Sequence, residues 1–366
     1  MNYFHRTAIK KNKEIDLLFT AEEYYQRMIE LIQSAKESIH LQTYIFRNDA
    51  IGQKILQALQ DASKRGVKVY LLVDHLGSLH LVNNEKDLQS HGFFFRFFGK
   101  FRWLTFLSKK YYLGRRLHHK ILLIDQEKAL VSGINIGEIF LSWFDFAVYL
   151  EGESCEEIFK ICIHYWPLRI RSKLKKSSKK IFTPQGTYHA KIINNDNLIH
   201  IQRINRRLNY YLNNVQKELL VISPYFFPSH HFLRNLNKLT HRNITVKIIC
   251  NAISDIPLIH RATTYYYSTL IKHGIEIYEW KTSMLHGKAL LIDGEILSIG
   301  SYNLNYMSYF TNIELNAEIH SKKIADRFYH HIQSKLLTDI QKVTVNDLPK
   351  GIIARINAFF AYLIVR

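Results

Sequence analysis

Cysteine is scarce in this chain: Cys155, Cys162 and Cys250 are the only three among 366 residues. So small, odd and unevenly spaced a set excludes a disulfide framework, and a reducing compartment is the simpler reading. Each thiol is expected to be a small buried apolar group. Long apolar runs are also missing. "MNYFHRTAIKKNKEIDLLF" contains none long enough for a signal peptide or an anchor, and no later stretch reaches the roughly 18 uncharged apolar residues of a membrane span. A soluble or peripheral protein is expected. Acidic residues are the third shortage, with 31 Asp and Glu against 50 Lys and Arg and a formal net charge of +19. Such a positive surface field favours anionic partners, nucleic acid or acidic lipid, without choosing between them.

Apolar residues are abundant, 47% hydrophobic and 13% aromatic. That supports a sizeable core, in two domains or one large duplicated one, and excludes a disordered or low-complexity chain. Residues 22–36, "EEYYQRMIELIQSAK", carry Tyr25, Met28, Ile29 and Ile32 at helical spacing, and "SIHLQTYIF" then reads as a buried strand. "IGQKILQALQDASKRG" is a second helix stopped by Gly66, and "VKVYLLVD" a second buried strand. Helices alternating with apolar strands predict a layered α/β sheet.

The second half repeats this order: "INRRLNYYLNNVQ" is helical, "ELLVISPYF" matches "SIHLQTYIF", "ITVKIIC" matches "VKVYLLVD", and "HGIEIYEW" matches "HGFFFRFF". A period near 170 residues is far too long for a solenoid and describes two similar lobes. They are expected at 1–168 and 183–345, joined by a basic linker at 169–182 and followed by an apolar segment at 346–366. Within "PLRIRSKLKKSSKK" (167–180) seven residues are Lys or Arg and no apolar periodicity is sustained. It reads either as a solvated linker or as a surface touching anionic lipid or nucleic acid. Lobe one carries about 14 extra residues in "GKFRWLTFLSKKYYLGRR", either an ordinary loop or an interfacial one. The C-terminal "GIIARINAFFAYLIVR" is too short to span a bilayer and reads either as a docked helix or as an interfacial segment.

The chemistry concentrates in "LHHKILLID" (117–125) and "LHGKALLID" (285–293). Side chains alternate along a strand, so His118 and Lys120 face one way, as do His286 and Lys288. A neutral imidazole beside a cation suits an anionic substrate, with lysine holding non-bridging oxygens while histidine attacks or shuttles a proton. His119 points to the other face and is expected to be structural. The returning strands end in Gly133-x-Asn135 and Gly300-Ser301-x-Asn303, where glycine allows close approach and the Asn amide donates to an oxyanion without adding charge. Asp145 lies 27 residues after His118, and Glu314 lies 28 after His286. That near-equal offset makes these acids candidates for orienting the imidazoles, leaving Asp125 and Asp293 to organise the hairpin or the contact between lobes. By composition alone the pattern HxKxxxxD would arise roughly 0.06 times in such a chain, so two ordinary strand ends are a poor account of the pair. Lysine is not a usual metal ligand and no spaced set of cysteines or carboxylates surrounds the histidines, so metal-free chemistry without a cofactor is expected.

These residues resemble the signature of the phospholipase D superfamily, present twice in one chain. "YIFRNDAIGQKILQALQDASKRGVKVYLLVDHLGS", "SGINIG" with Trp143 and Asp145, "SPYFFPS" and "GSYNLNYMSYFTNIELN" are similar to its bacterial cardiolipin synthase branch over about residues 20–330. The resemblance implies an α/β fold of two lobes, each a mixed sheet flanked by helices, about a pseudo-twofold axis, with both His–Lys–Asn sets meeting at one phosphodiester. The catalytic set it implies is His118, Lys120, Asp125, His286, Lys288 and Asp293. It further implies attack by His118 on phosphorus, a phosphohistidine intermediate, and His286 as acid and then base. Donor and acceptor would be anionic phospholipid, phosphatidylglycerol above all, and the location the cytoplasmic face of a bacterial membrane, held peripherally and with no obligate protein partner. Hydrolysis to phosphatidic acid is the alternative if water reaches the intermediate, and a nuclease of the same superfamily is the reading from another substrate class. Two departures stand out: Ser301-Tyr302 replaces the branch's usual Ser-Ala, placing a bulkier residue near the cradle, and no N-terminal transmembrane pair is present.

Overall fold

The computed structural model describes residues 8–84, 88, 92–100, 115–177, 186–196, 199, 201–255, 257–336 and 338–348. Most of the lobe-one insertion, the end of the basic linker and the C-terminal apolar segment lie outside the described residues.

Lobe one runs β1 (Lys10–Leu18), α1 (Ala21–Ser34), β2 (Ser38–Thr43), α2 (Ala50–Lys64), β3 (Lys68–Asp74), β4 (Phe93–Phe98), β5 (Lys120–Ile124), β6 (Lys128–Ser132), β7 (Ala147–Gly152), α3 (Ser154–His164) and α4 (Leu168–Ser177). Lobe two runs β8 (Tyr188–Asp196), β9 (Ile201–Gln202), α5 (Arg203–Asn214), β10 (Glu218–Ile222), α6 (His230–Thr240), β11 (Thr245–Asn251), α7 (Pro257–Lys272), β12 (Glu276–Trp280), β13 (Ala289–Ile292), β14 (Ile296–Gly300), α8 (Tyr306–Phe310), β15 (Ile313–His320), α9 (Lys322–Lys335) and β16 (Ile340–Lys342).

Local chemistry accounts for these elements. Thr20 caps α1 by accepting the Glu23 N–H, and Asp49 caps α2 through the Gly52 N–H. Every residue of β2 and β5 is buried, as expected of strands covered on both faces. Three residues join the paired ends Ile124–Lys128 and Ile292–Ile296, and the first two of each, Asp125 and Gln126 at φ 51° and 61° and Asp293 and Gly294 at 55° and 66°, supply the left-handed pair of a tight turn.

The strands form one mixed sheet in the order β16-β12-β11-β10-β13-β14-β15-β8-β1-β7-β6-β5-β2-β3-β4. That order reads as the same lobe taken forwards and backwards, joined where the lobes' first strands pair antiparallel through Lys10–Ala190, Lys11–His189 and Asn12–Tyr188. Within each lobe the outer strands, β2-β3-β4 and β10-β11-β12, are parallel, and the inner ones antiparallel.

Each lobe has a core of its own on the helix side, and a further core is shared. It joins Ile121, Val131 and Val148 of lobe one to Leu291, Leu297 and Ala317 of lobe two, beneath α3 and α9. The basic run read as a linker is helical over α4, because Ile170 packs on this shared core and Leu174 is buried. Two apolar positions four apart provide an inward stripe that so short a segment cannot display as a sustained period.

A core common to both lobes couples their unfolding. Calorimetry of the whole chain is expected to show one cooperative transition, with matching calorimetric and van't Hoff enthalpies; two resolved transitions would show that the shared core does not hold the lobes together.

Candidate active site

The two signature strands approach each other at the centre of the molecule. Asp74, ending β3, accepts the Leu117 N–H at 2.9 Å, while Asn251, ending β11, both accepts from Leu285 N–H and donates to its carbonyl at 2.7 Å. Each grip fixes the residue before a histidine. Asp74 is the last residue of "VKVYLLVD" and Asn251 directly follows "ITVKIIC", so the two grips stand at matching ends of the aligned strands.

The next contacts cross between lobes. His118 N–H donates to Ile313 O at 2.9 Å, and the Ile313 N–H returns to Arg116 O; in the other half, His286 N–H donates to Phe144 O and the Phe144 N–H to Met284 O, both at 2.8 Å. The carboxylate that follows each of these partners is thereby delivered to the other lobe's imidazole. His118 Nδ1 lies 2.9 Å from Glu314 Oε2, and His286 Nδ1 lies 2.7 Å from Asp145 Oδ2. The acids with the matched offsets do meet the imidazoles, but each serves the histidine of the opposite lobe. Offsets counted within a lobe carry no information about that exchange.

The carboxylates are held differently. Glu314 accepts from Ser301 Oγ, from Ser308 Oγ at 2.6 Å and from Asn312 Nδ2 at 3.3 Å; Asp145 accepts the Phe146 N–H at 2.8 Å. Ser301 therefore supports Glu314, and Ser308 and Asn312 are supports that the sequence did not single out. A Cβ on Gly133 would lie 2.9 Å from an Asp145 oxygen, so glycine there leaves room for the carboxylate. Gly287, standing where lobe one has His119, faces the Phe146 ring at 2.4 Å from a virtual Cβ. His119 is buried on the other face of β5, with Nε2 2.7 Å from Gln42 Oε1.

Lys120 donates to His118 O at 2.7 Å, and Lys288 makes the matching bond to His286 O. Both ammonium groups are buried. Burial and the charge of Lys288 pull Lys120 down to about 7 despite Glu314 and Asp145, while burial alone among the main causes brings Lys288 down to about 8 against the same acids. Burial lowers His118 too, with Glu314 opposing and Lys120 adding to it. Burial and Lys288 push His286 down to about 3, although Asp145 works the other way. Burial also raises Asp145 and Glu314, but Lys288 with His286, and His118 with Lys120, outweigh it and hold both acids ionised. At neutral pH the set is two carboxylates, two neutral imidazoles and two reluctant cations.

The two candidate amides, Asn135 and Asn303, are both buried. Asn135 Oδ1 accepts the Ile45 N–H at 3.1 Å, and its carbonyl accepts from the Tyr25 hydroxyl at 2.7 Å. Asn303 Oδ1 is buried without a hydrogen-bond partner among the described residues. Tyr44 stands 5.2 Å from His118, and Trp143 5.1 Å from His286, ring to ring, as aromatic walls. Tyr302 turns away, its hydroxyl donating to Asn205 Oδ1 of α5 at 2.8 Å within the lobe-two core. Its bulk does not enter the cradle. Among the described residues no group of three or more His, Cys, Asp or Glu side chains is placed to hold a metal ion.

Asp125 and Asp293 are not part of this site, contrary to the catalytic set that the resemblance implied. Asp125 accepts the backbone N–H groups of Lys36, Glu37 and Ser38, and Asp293 those of Gln216, Lys217 and Glu218, at the far ends of β5 and β13. Lys120 opens the five-residue β5 and Asp125 follows its last residue, about 16 Å of rise away. Both aspartates tie the signature hairpin to the start of the neighbouring strand.

A duplicated α/β sheet that presents two His–Lys pairs to one centre is the architecture of a phosphodiester transferase of the phospholipase D type. Residues 28–142 and 208–336 match the family model described as cardiolipin synthase, phospholipase D-like domain. The chain is 31% identical over 375 residues to cardiolipin synthase of Clostridium perfringens (strain SM101 / Type A), covering 97% of this chain and 77% of that protein. It is 30% identical over 353 residues to cardiolipin synthase B of Salmonella typhi, covering 93% and 84%. The fold matches the solved phosphatidylserine synthase of Haemophilus influenzae Rd KW20 with a TM-score of 0.74, over 98% of this chain and 96% of that one at 15% identity. This chain belongs to the cardiolipin synthase family of phospholipase D-like proteins.

Two outcomes test the site. Asp125→Ala and Asp293→Ala are each expected to lower unfolding free energy by about 1–3 kcal/mol in denaturant titration, with turnover per folded molecule unchanged, because each leaves backbone donors unmatched. Lys120→Met is expected to raise the melting temperature near pH 7. The unfolded chain keeps this lysine charged to about 10.5 while the folded one releases its proton near 7, so wild-type stability should climb from pH 7 towards 10 and the variant's should climb less.

Proposed function

We propose that the chain is a phosphatidyltransferase that makes cardiolipin, or a closely related phospholipid, from phosphatidylglycerol. The observation that carries the reading is the crossed pair of imidazole–carboxylate contacts. Each carboxylate holds an Nδ1–H, which leaves Nε2 of a neutral ring as the free lone pair on either side of two lysines.

His118 is the nucleophile. Its Nε2 attacks phosphorus, the bond from phosphorus to the glycerol headgroup oxygen breaks, and His286 gives that oxygen its proton. Lys120 and Lys288 hold the non-bridging oxygens, with the Asn135 and Asn303 amides closing the cradle. In the protein alone His286 is neutral, held down by burial and Lys288. An anionic phosphodiester offsets the lysine charge, so substrate entry raises His286 and brings in the proton it must donate. In the second step the hydroxyl of another phosphatidylglycerol passes its proton to His286 and attacks phosphorus. The Nε2–phosphorus bond breaks, releasing cardiolipin and restoring His118.

The substrates lie in membranes, and the reading is of an enzyme held peripherally at the cytoplasmic face. No helix among the described residues is long and apolar enough to cross a membrane, and the net charge of +19 favours an anionic leaflet. The three cysteines are free and buried, in keeping with a reducing compartment.

Purified protein incubated with phosphatidylglycerol vesicles in EDTA, with lipids resolved by mass spectrometry, is expected to yield cardiolipin and glycerol. His118→Ala should abolish both, and Glu314→Gln should slow turnover about 10²–10⁴-fold. Phosphatidic acid in place of cardiolipin would assign the hydrolase reading, and cleavage of DNA with no lipid product the nuclease reading.

A further inference from the structure

The five-residue helix α8 has two unlike faces. Inside, Ser308 is fully buried and donates to Glu314 Oε1 at 2.6 Å. The helix begins at its cap Asn305, two residues after Asn303, and Asn312 beyond its end reaches the same Glu314 oxygen. Outside, Tyr306, Met307 and Phe310 are 49%, 46% and 43% exposed, with the Tyr306 and Phe310 rings 4.5 Å apart.

This face does not stand alone. A groove of about 210 Å³ runs along it between Tyr306 and Phe310 on one side and Phe227 and Tyr266 on the other. At His230 and Tyr266 it continues into an open groove of about 530 Å³ between α6 and α7, lined by Tyr265, 40% exposed, and by Arg234. Among the described residues no Asp or Glu lines either groove. Single exposed apolar residues are ordinary on a protein surface, but a contiguous aromatic face with a cationic edge and no acid is not.

We infer that the outer face of α8, with the grooves it shares with α6 and α7, is where this protein meets the acyl region of an anionic phospholipid bilayer. The inference rests on the phospholipid reading of the site. Tyrosine and phenylalanine favour the boundary between headgroup and hydrocarbon, a methionine adapts to disordered chains, and Arg234 supplies a cation for anionic headgroups. The surface is continuous in the chain with Asn303 on one side and Glu314 on the other. Docking here brings the substrate's own solvent to the edge of the cradle and holds the helix that supports Glu314.

The test uses the full chain. Tyr306→Ser/Phe310→Ser is expected to weaken co-sedimentation with phosphatidylglycerol–phosphatidylcholine vesicles by about tenfold or more, and to slow turnover of vesicle substrate with it. Turnover of dihexanoyl phosphatidylglycerol below its micellar concentration should be unchanged. Vesicle binding equal to wild type would overturn the inference. Met307→Trp gives an independent reading if the double variant folds poorly. Its added fluorescence, relative to wild type, should be quenched by phosphatidylglycerol brominated in the acyl chains, and an unquenched tryptophan overturns the inference. If quenching occurs but the wild type turns over no lipid, docking stands and the proposed function falls. If short-chain lipid is turned over and the tryptophan is not quenched, the site reading stands and the docking surface falls.

Discussion

The structure depends on an exchange: each lobe's histidine leans on a carboxylate that the other lobe supplies. His118 needs Glu314 to fix its ring, His286 needs Asp145, and reciprocal backbone bonds through Ile313 and Phe144 hold the partners in register. Neither lobe carries a complete imidazole–carboxylate pair of its own, so the pseudo-twofold arrangement is a condition of the chemistry. The pairing of β1 with β8 and the core shared beneath α3 and α9 keep the exchange in place.

The same exchange settles the electrostatics of a buried site. Two ammonium groups taken out of water cost several kcal/mol each unless paired, and here Asp145 and Glu314 lie among them and stay ionised. The lysines nonetheless sit far below their ordinary range, so the site holds its two ammonium charges only under strain. An incoming phosphodiester supplies the negative charge that burial and mutual repulsion leave wanting. Stability given up by burying the lysines is recovered as affinity for an anion, and His286 is released to gain the proton that leaving-group departure requires.

Much of this was legible along the chain. The repeat of His–Lys spacing, the glycine–asparagine stretches and the matched offsets of Asp145 and Glu314 located the site, because strand periodicity and hairpin chemistry act over a few residues. Asp125 and Asp293 show the limit. They belong to the same nine-residue motifs as the histidines, yet a strand's rise puts them at the opposite end of the sheet, where they bind backbone N–H groups. Tyr302 shows it again, since a residue next to the cradle in sequence points into α5 in space. Ser308, Asn312, Asp74 and Asn251 carry no spacing signal strong enough to stand out from the many polar residues around them.

By itself the sequence determined the fold class, the duplication, the two His–Lys pairs and the acids that serve them, since these follow from periodicity and from residue types at short range. Only the tertiary structure decided which acid serves which histidine, that both pairs face one centre, how far burial lowers the lysines, and that the outer side of α8 is half exposed. Those properties depend on distances between segments more than a hundred residues apart and on how much water the packed lobes exclude, and neither quantity exists until the two halves have closed on each other.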